Sequence, residues 1–93
     1  IGEDILPANV KFDMIDKFEK VTDKDAALAA RELALKEGLF LGYSCGSAIQ
    51  GLRQLKSELK PGDLPVVLFH DHGSRYVAKI YNDDWMREQG FID

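Results

Sequence analysis

The sequence predicts an α/β fold in which two or three short strands lie between helices. Two segments carry apolar residues at helical spacing, and two short apolar runs are each followed by a polar cluster. Their order along the chain is helix, strand, helix, strand, helix, which is typical of a parallel sheet covered by helices. We therefore expect a partial three-layer αβα sandwich with a short, mainly parallel sheet.

The first helix is predicted to follow Thr22 and to stop at Gly38. Thr22 and Asp25 have the spacing of a capping box, in which side-chain oxygens accept from the first amides of a helix. The alanines and leucines that follow are strong helix formers and give the helix a face of small residues suited to close packing. An apolar cluster at residues 12–18 ahead of it predicts a short helical turn, followed by a short strand at residues 19–21.

The first predicted strand and the second helix follow in residues 39–61. Residues 39–41 form a short apolar run bounded by glycines, which is typical of a buried strand. Residues 42–46 are expected to make a tight turn, and apolar residues then recur at helical spacing from about Gly46 until Pro61.

The last part of the chain predicts a central strand and one or two helices. Residues 65–69 are uniformly apolar, as expected of a parallel strand covered on both faces. Residues 75–81 and 83–89 are predicted to be helical, with Asn82 or Asp83 as N-cap. In open α/β sheets ligands bind at the carboxyl ends of the strands, so the polar residues 42–47 and 70–74 are expected to share one site.

Length and charge limit the function classes. The chain has 93 residues, enough for one domain, with 12 basic against 16 acidic residues and a net charge of -4. No basic stripe or run is present, so nucleic acid and anionic membrane surfaces are not expected partners. No apolar run approaches the roughly 20 residues that cross a bilayer. The single cysteine, Cys45, cannot form an internal disulfide, and we expect a cytoplasmic protein. Because Ile1 rather than Met begins the sequence, we also expect a fragment.

Residues 42–46 match G-x-S-x-G, the nucleophile elbow of serine hydrolases. Asp71 and His72 could supply the acid and base. However, a carboxylate rarely orients the imidazole of the adjacent residue toward a third residue. A simpler interpretation makes Ser44 a helix N-cap. Cys45 is most simply a small buried thiol. His70 and His72 could begin a zinc site, but no third ligand is indicated, and no metal is expected.

Several segments together resemble a known enzyme family. They are Ile1-Gly2-Glu3-Asp4-Ile5-Leu6-Pro7, Thr22-Asp23-Lys24-Asp25-Ala26, Glu37-Gly38-Leu39-Phe40-Leu41-Gly42, Ser44-Cys45-Gly46, Asp71 with Arg75-Tyr76, and Asn82-Asp83-Asp84-Trp85-Met86. In this order they resemble the end of the catalytic core of the cystathionine β-synthase and cysteine synthase family, the fold-type II pyridoxal-phosphate enzymes. The Asp-Asp-Trp-Met ending with Gly90-Phe91 is more similar to the cystathionine β-synthase branch.

The resemblance implies roles for particular residues. In the family, the serine that matches Ser44 hydrogen-bonds the pyridine nitrogen of pyridoxal 5'-phosphate. A neutral hydroxyl does not force a proton onto that nitrogen, which suits β-elimination. Gly42 and Gly46 would let the backbone approach the ring, Asp71 would border it, and Gly2 would belong to a loop near the substrate. None of these is expected to be a catalytic residue.

Two departures from the family pattern limit the resemblance. The family commonly has proline, aspartate and serine where this chain has His70, Asp71 and His72. The Schiff-base lysine and the phosphate-binding loop lie in family segments that precede Ile1, and none of the eight lysines here matches. The isolated chain is therefore expected to be inactive and not to retain the cofactor.

The resulting prediction is that residues 1–93 are one unit, the C-terminal portion of a pyridoxal-phosphate-dependent catalytic domain, within a homodimer. The complete enzyme would perform β-replacement on serine or an activated serine, with homocysteine or sulfide as the incoming nucleophile. Two alternatives stay open at this point. One is a small serine hydrolase that uses Ser44, and the other is a non-catalytic interaction module.

Overall fold

The computed structural model describes residues 5–93, which form three α-helices joined by loops and short 3-10 turns. The helices are α1 (Asp23–Glu37), α2 (Tyr43–Gln54) and α3 (Asp83–Glu88), and the 3-10 turns are Phe12–Met14, Lys56–Glu58 and Gly73–Tyr76. The turn predicted within residues 12–18 is thus confirmed. Within residues 5–93 no helix has the length and apolar character needed to cross a membrane.

Helix α1 begins and ends where the sequence predicted. The Thr22 hydroxyl oxygen accepts a hydrogen bond from the Asp25 amide at 3.1 Å, which caps the first turn. Gly38 has a left-handed backbone with φ of 68°, and its amide donates to the Ala34 carbonyl at 3.2 Å. Glycine adopts this conformation without steric cost, so the helix stops there.

Helix α2 begins three residues earlier than predicted. The amides of Cys45 and Gly46 donate to the Gly42 carbonyl at 3.1 and 3.3 Å, so the predicted tight turn is instead the first turn of the helix. Gly42 is the N-cap, and the interpretation of Ser44 as N-cap is wrong. The helix ends at Gln54 rather than near Pro61, and the 3-10 turn Lys56–Glu58 follows it.

Helices α1 and α2 pack closely along the small-residue face that the sequence predicted. Ala26, Ala27, Ala29 and Ala30 of α1 are at most 1% exposed. A side chain at Gly46 of α2 would collide with the Ala26 carbonyl group, so the two backbones touch at this point. Ile80 and Met86, both fully buried, extend this core toward the C-terminus.

The predicted sheet is not formed by the residues that the structure describes. Residues 19–21, 39–41 and 65–69 belong to no strand, and the pairing present is an isolated bridge between Leu41 and His72, which is antiparallel rather than parallel. A strand is stable only where neighbouring strands take up its backbone hydrogen bonds, and this chain supplies very few candidates. Accordingly Leu64, Val66 and Leu68 are 87%, 86% and 75% exposed.

The C-terminal segment is held against α1. The Asn82 side chain accepts from the Trp85 amide at 3.0 Å, which confirms Asn82 as the N-cap of α3. Arg31 of α1 donates to the Ile80 carbonyl at 2.9 Å and to the Asp83 carboxylate at 2.5 Å. The helix predicted over residues 75–81 is only a 3-10 turn and loop, so these contacts rather than a continuous helix fix α3.

Candidate functional site

The first turn of α2 and the loop of residues 70–74 lie side by side. The Gly42 amide donates to the Asp71 carbonyl at 3.0 Å, and the Cys45 thiol lies 3.4 Å from the same oxygen. Across the loop, the Gly73 amide donates to the Phe40 carbonyl at 3.0 Å. The two polar clusters that the sequence placed at one site are therefore adjacent, although no sheet brings them together.

Ser44 presents its hydroxyl at the N-terminus of α2. The side chain is partly exposed, and its Oγ lies 2.8 Å from Nε2 of His70. Gly42 has no side chain to cap the helix, so the positive end of the helix dipole at Ser44 is not opposed by a side-chain cap. Ser44 thus combines a neutral hydroxyl with an electropositive helix end.

Asp71 is held by three groups in the following turn. Its Oδ2 accepts from the Tyr76 hydroxyl at 2.5 Å and its Oδ1 from the His72 amide at 3.0 Å, while Arg75 Nη1 lies 3.8 Å from Oδ1. The Tyr76 hydrogen bond, with smaller contributions from the His72 amide and the Arg75 and His70 charges, holds the pKa of Asp71 below its ordinary value. Asp71 is therefore an anion at neutral pH.

The two glycines of the motif are required for different reasons. A Cβ at Gly42 would lie 2.5 Å from Cγ of Asp71, so any side chain there would displace this carboxylate. A Cβ at Gly46 would point away from the site, 2.9 Å from the Ala26 carbonyl carbon. Gly42 shapes the site directly, whereas Gly46 permits helix packing.

His70 and His72 have different partners. Nδ1 of His72 accepts from the Ser74 amide at 3.2 Å, and its ring lies edge-on to Phe40 at 5.3 Å. Among residues 5–93 no group of three His, Cys, Asp or Glu side chains could hold a metal ion. The sequence did not predict that Ser44 contacts His70 or that Asp71 contacts Tyr76. The available signal was that His70 and Asp71 belong to the polar residues 70–74, which were expected to share a site with residues 42–47.

A groove of about 410 Å³ opens beside the Ser44 hydroxyl. Its walls come from the segment before α1 and from one face of α2: Glu19, Val21, Ser44, Ser47, Ala48 and Gly51. The groove therefore borders the first turn of α2 at Ser44. Gly2, predicted to lie near a substrate, is outside the described residues.

The geometry does not favour a hydrolase. A nucleophile elbow places its serine on a strained turn, but no non-glycine residue within the described part of the chain has a positive φ. His72, the proposed base, contacts Ser74 rather than Ser44, and the Asp71 carboxylate is occupied by Tyr76. The Ser44–His70 pair therefore lacks the carboxylate that orients the imidazole in a triad.

Comparison with known proteins gives one family and several relatives. The family model described as "Pyridoxal-phosphate dependent enzyme" matches residues 1–71. Cystathionine beta-synthase of Dictyostelium discoideum is 39% identical over all 93 residues, which cover 19% of that protein. The Oryctolagus cuniculus protein of the same name is 37% identical over the whole chain and 17% of its own length. The Mus musculus one is 36% identical over 99% of the chain and 16% of its own length. The chain thus spans less than a fifth of the length of these curated relatives.

Proposed function

We propose that this chain, which belongs to the pyridoxal-phosphate-dependent enzymes, supplies the contact with the cofactor's ring nitrogen. In this proposal residues 1–93 are the C-terminal portion of the catalytic domain. The observation that carries it is the partly exposed Ser44 in the first turn of α2, which lines a groove and follows Gly42, the residue that contacts the anchored Asp71.

The residues of the site fit pyridoxal phosphate. The ring nitrogen is a hydrogen-bond acceptor, and the Ser44 hydroxyl is a donor with a groove in front of it. Gly42 lets the Asp71 carboxylate lie directly against the start of α2, where both would border the ring. Gly46 serves the site by letting α2 approach α1, which is a different role from the ring contact that the resemblance implied.

When bound, pyridoxal phosphate withdraws electrons from the substrate α-carbon and so permits loss of the β-substituent. Ser44 orients the ring through its hydroxyl. Because this hydroxyl is neutral and lies at the positive end of α2, Ser44 disfavours a positive charge on the ring nitrogen. The anchored Asp71 keeps its place beside the start of α2 because Tyr76 and the His72 amide hold it.

The relatives' name supports a finer proposal for the complete enzyme. It would replace the β-substituent of serine or an activated serine with homocysteine or sulfide. From the sequence alone we further propose a cytoplasmic homodimer in which Gly2 lies near the substrate. The isolated 93-residue chain would be inactive, since it lacks a lysine in the Schiff-base context. Assays of the complete polypeptide with homocysteine and with sulfide test the proposed substrates. Product formed by the isolated 93-residue chain would contradict its proposed inactivity.

We also propose that residues 39–41 and 65–69 become strands when the rest of the domain is present. The exposed apolar side chains of Val66 and Leu68 support this, because a sheet covered on both faces would bury them. Hydrogen exchange of the complete polypeptide is expected to show slow amides at residues 66–69. Exchange there as fast as in an unstructured peptide would refute the proposal.

Substitution of Ser44 tests the cofactor role. In the complete polypeptide, Ser44→Asp is expected to favour a protonated ring nitrogen, change the cofactor's absorption and fluorescence, and reduce β-replacement. Ser57→Asp, the same change at an exposed position that does not line the groove, is the matched control and should leave the spectrum unchanged. A wild-type spectrum and wild-type kinetics in Ser44→Asp would exclude the role proposed for Ser44.

A further inference from the structure

His70 makes two contacts that together favour one arrangement of its ring hydrogens. Nε2 lies 2.8 Å from Ser44 Oγ, and Nδ1 lies 3.4 Å from the Leu68 carbonyl oxygen. A carbonyl oxygen only accepts, so an imidazole that satisfies both contacts carries its hydrogen on Nδ1. The other neutral tautomer would set the Nδ1 lone pair against the carbonyl oxygen. Neutral His70 therefore accepts the Ser44 hydroxyl hydrogen at Nε2.

This arrangement competes with a ligand for the Ser44 hydrogen. A serine hydroxyl has one hydrogen, and while Ser44 donates it to His70 it cannot donate it to a ring nitrogen. A protonated imidazole donates from both nitrogens. His70 in that form keeps its contact with Leu68 and donates to Ser44 Oγ, so the serine hydrogen can turn toward the groove. Imidazole side chains change charge between about pH 5 and 8.

We propose that His70 is a positioning residue that sets the direction of the Ser44 hydrogen bond according to its own protonation. Protonated His70 lets Ser44 donate to the ring nitrogen of pyridoxal phosphate, and neutral His70 withdraws that donor. The inference rests on the proposed function of Ser44. It concerns a position at which the family pattern has a different residue, since His70 stands where proline is common.

Charged side chains near His70 lie on its own loop and in a neighbouring groove. The Asp71 carboxylate is adjacent in the chain and is bound to Tyr76. A second groove, which shares Glu19 with the one beside Ser44, is lined by His70, Lys17 and Glu19. Lys17 pairs with Glu19 at 3.5 Å and with Glu58 at 2.7 Å. The residues of α2 that line this groove are uncharged.

The hydrogen positions can be measured without cofactor. In the cofactor-free complete polypeptide at pH 8, nitrogen NMR with labelled histidine is expected to show the hydrogen of His70 on Nδ1. The Nε2 resonance should shift in Ser44→Ala, because its hydrogen-bond donor is lost. A hydrogen on Nε2, or an Nε2 resonance that Ser44→Ala leaves unchanged, would overturn the inference independently of any cofactor-binding result.

The consequence for the ligand is measured in the complete polypeptide with pyridoxal phosphate. The apparent cofactor affinity of the wild type is expected to be about three- to tenfold lower at pH 8 than at pH 6 from this effect, the value of one hydrogen bond. His70→Phe and His70→Gln should remove that part of the pH dependence together with the matching change in the absorption spectrum. His72→Asn is the control, because it keeps an acceptor for the Ser74 amide but loses the other imidazole.

The outcomes separate the inference from the function on which it rests. A pH dependence that both His70 variants retain, or that His72→Asn abolishes, overturns the role of His70 while leaving that of Ser44 intact. If Ser44→Ala leaves the cofactor spectrum unchanged, the proposed function of Ser44 is wrong and the inference fails with it.

Discussion

Gly46→Ala is expected to destabilise the protein although alanine is the better helix former. The added Cβ would collide with the Ala26 carbonyl oxygen and lie 2.9 Å from the Ala26 carbonyl carbon and 3.1 Å from Ala30 Cβ. Backbone atoms cannot rotate away, so α1 and α2 must separate, and we take the upper end of the usual overpacking cost, about 3 kcal/mol. The higher helix propensity of alanine offsets about 1 kcal/mol of this cost. The net expected loss in the free energy of unfolding is therefore about 2 kcal/mol.

Gly51→Ala is the matched control on the same helix. A Cβ at Gly51 meets nothing within 4 Å, so only the propensity gain of about 1 kcal/mol should remain. Urea denaturation of the complete polypeptide, followed by circular dichroism, measures both variants, which should differ by about 3 kcal/mol. Equal stabilisation by the two alanines would refute the close approach of α1 and α2.

Three further predictions concern capping and charge. Because the folded-state pKa of Asp71 lies below its ordinary 3.8, this carboxylate stabilises the fold at neutral pH, and the contribution is lost as the pH falls below about 4. Tyr76→Phe should raise that pKa toward 3.8 in a carboxyl NMR titration, and an unchanged titration would contradict the hydrogen bond. Arg31→Gln should likewise raise the pKa of Asp83, which the Arg31 hydrogen bond and charge now lower, whereas no change would mean that the ion pair is absent in solution. Asn82→Ala should cost about 1 kcal/mol in unfolding free energy by removing the cap of α3, while Asn82→Asp, which keeps an acceptor, should cost much less.

Helix ends were predictable wherever a side chain or a glycine determines them locally. Thr22 and Asn82 cap their helices with their own oxygens, and Gly38 ends α1 through a backbone conformation that suits glycine. The start of α2 was predicted too late because its N-cap, Gly42, has no side chain that would identify it as a cap. Apolar residues at helical spacing begin only after the first turn.

The sheet and the finer contacts of the site depend on residues far apart in the chain. The apolar run at residues 65–69 has the composition of a buried strand, but pairing requires neighbouring strands that residues 5–93 do not supply. The meeting of residues 42–47 with residues 70–74 was predicted from a parallel sheet, but in the described residues it comes from the Leu41–His72 bridge and the Gly42–Asp71 and Gly73–Phe40 hydrogen bonds. The choice of His70 rather than His72 as partner of Ser44 depends on side-chain directions that composition does not encode.

Cys45 offers a built-in reporter of the contact between α2 and the loop of residues 70–74. Cys45 is 0% exposed and its thiol faces the Asp71 carbonyl oxygen at 3.4 Å, so an alkylating reagent reaches the sulfur only after the structure around this contact opens. The rate of alkylation then follows the population of that opened state, much as amide exchange follows local unfolding. A ligand that seats against Ser44 would slow the modification of its sequence neighbour, and a natural thiol would record occupancy of the site without any introduced label.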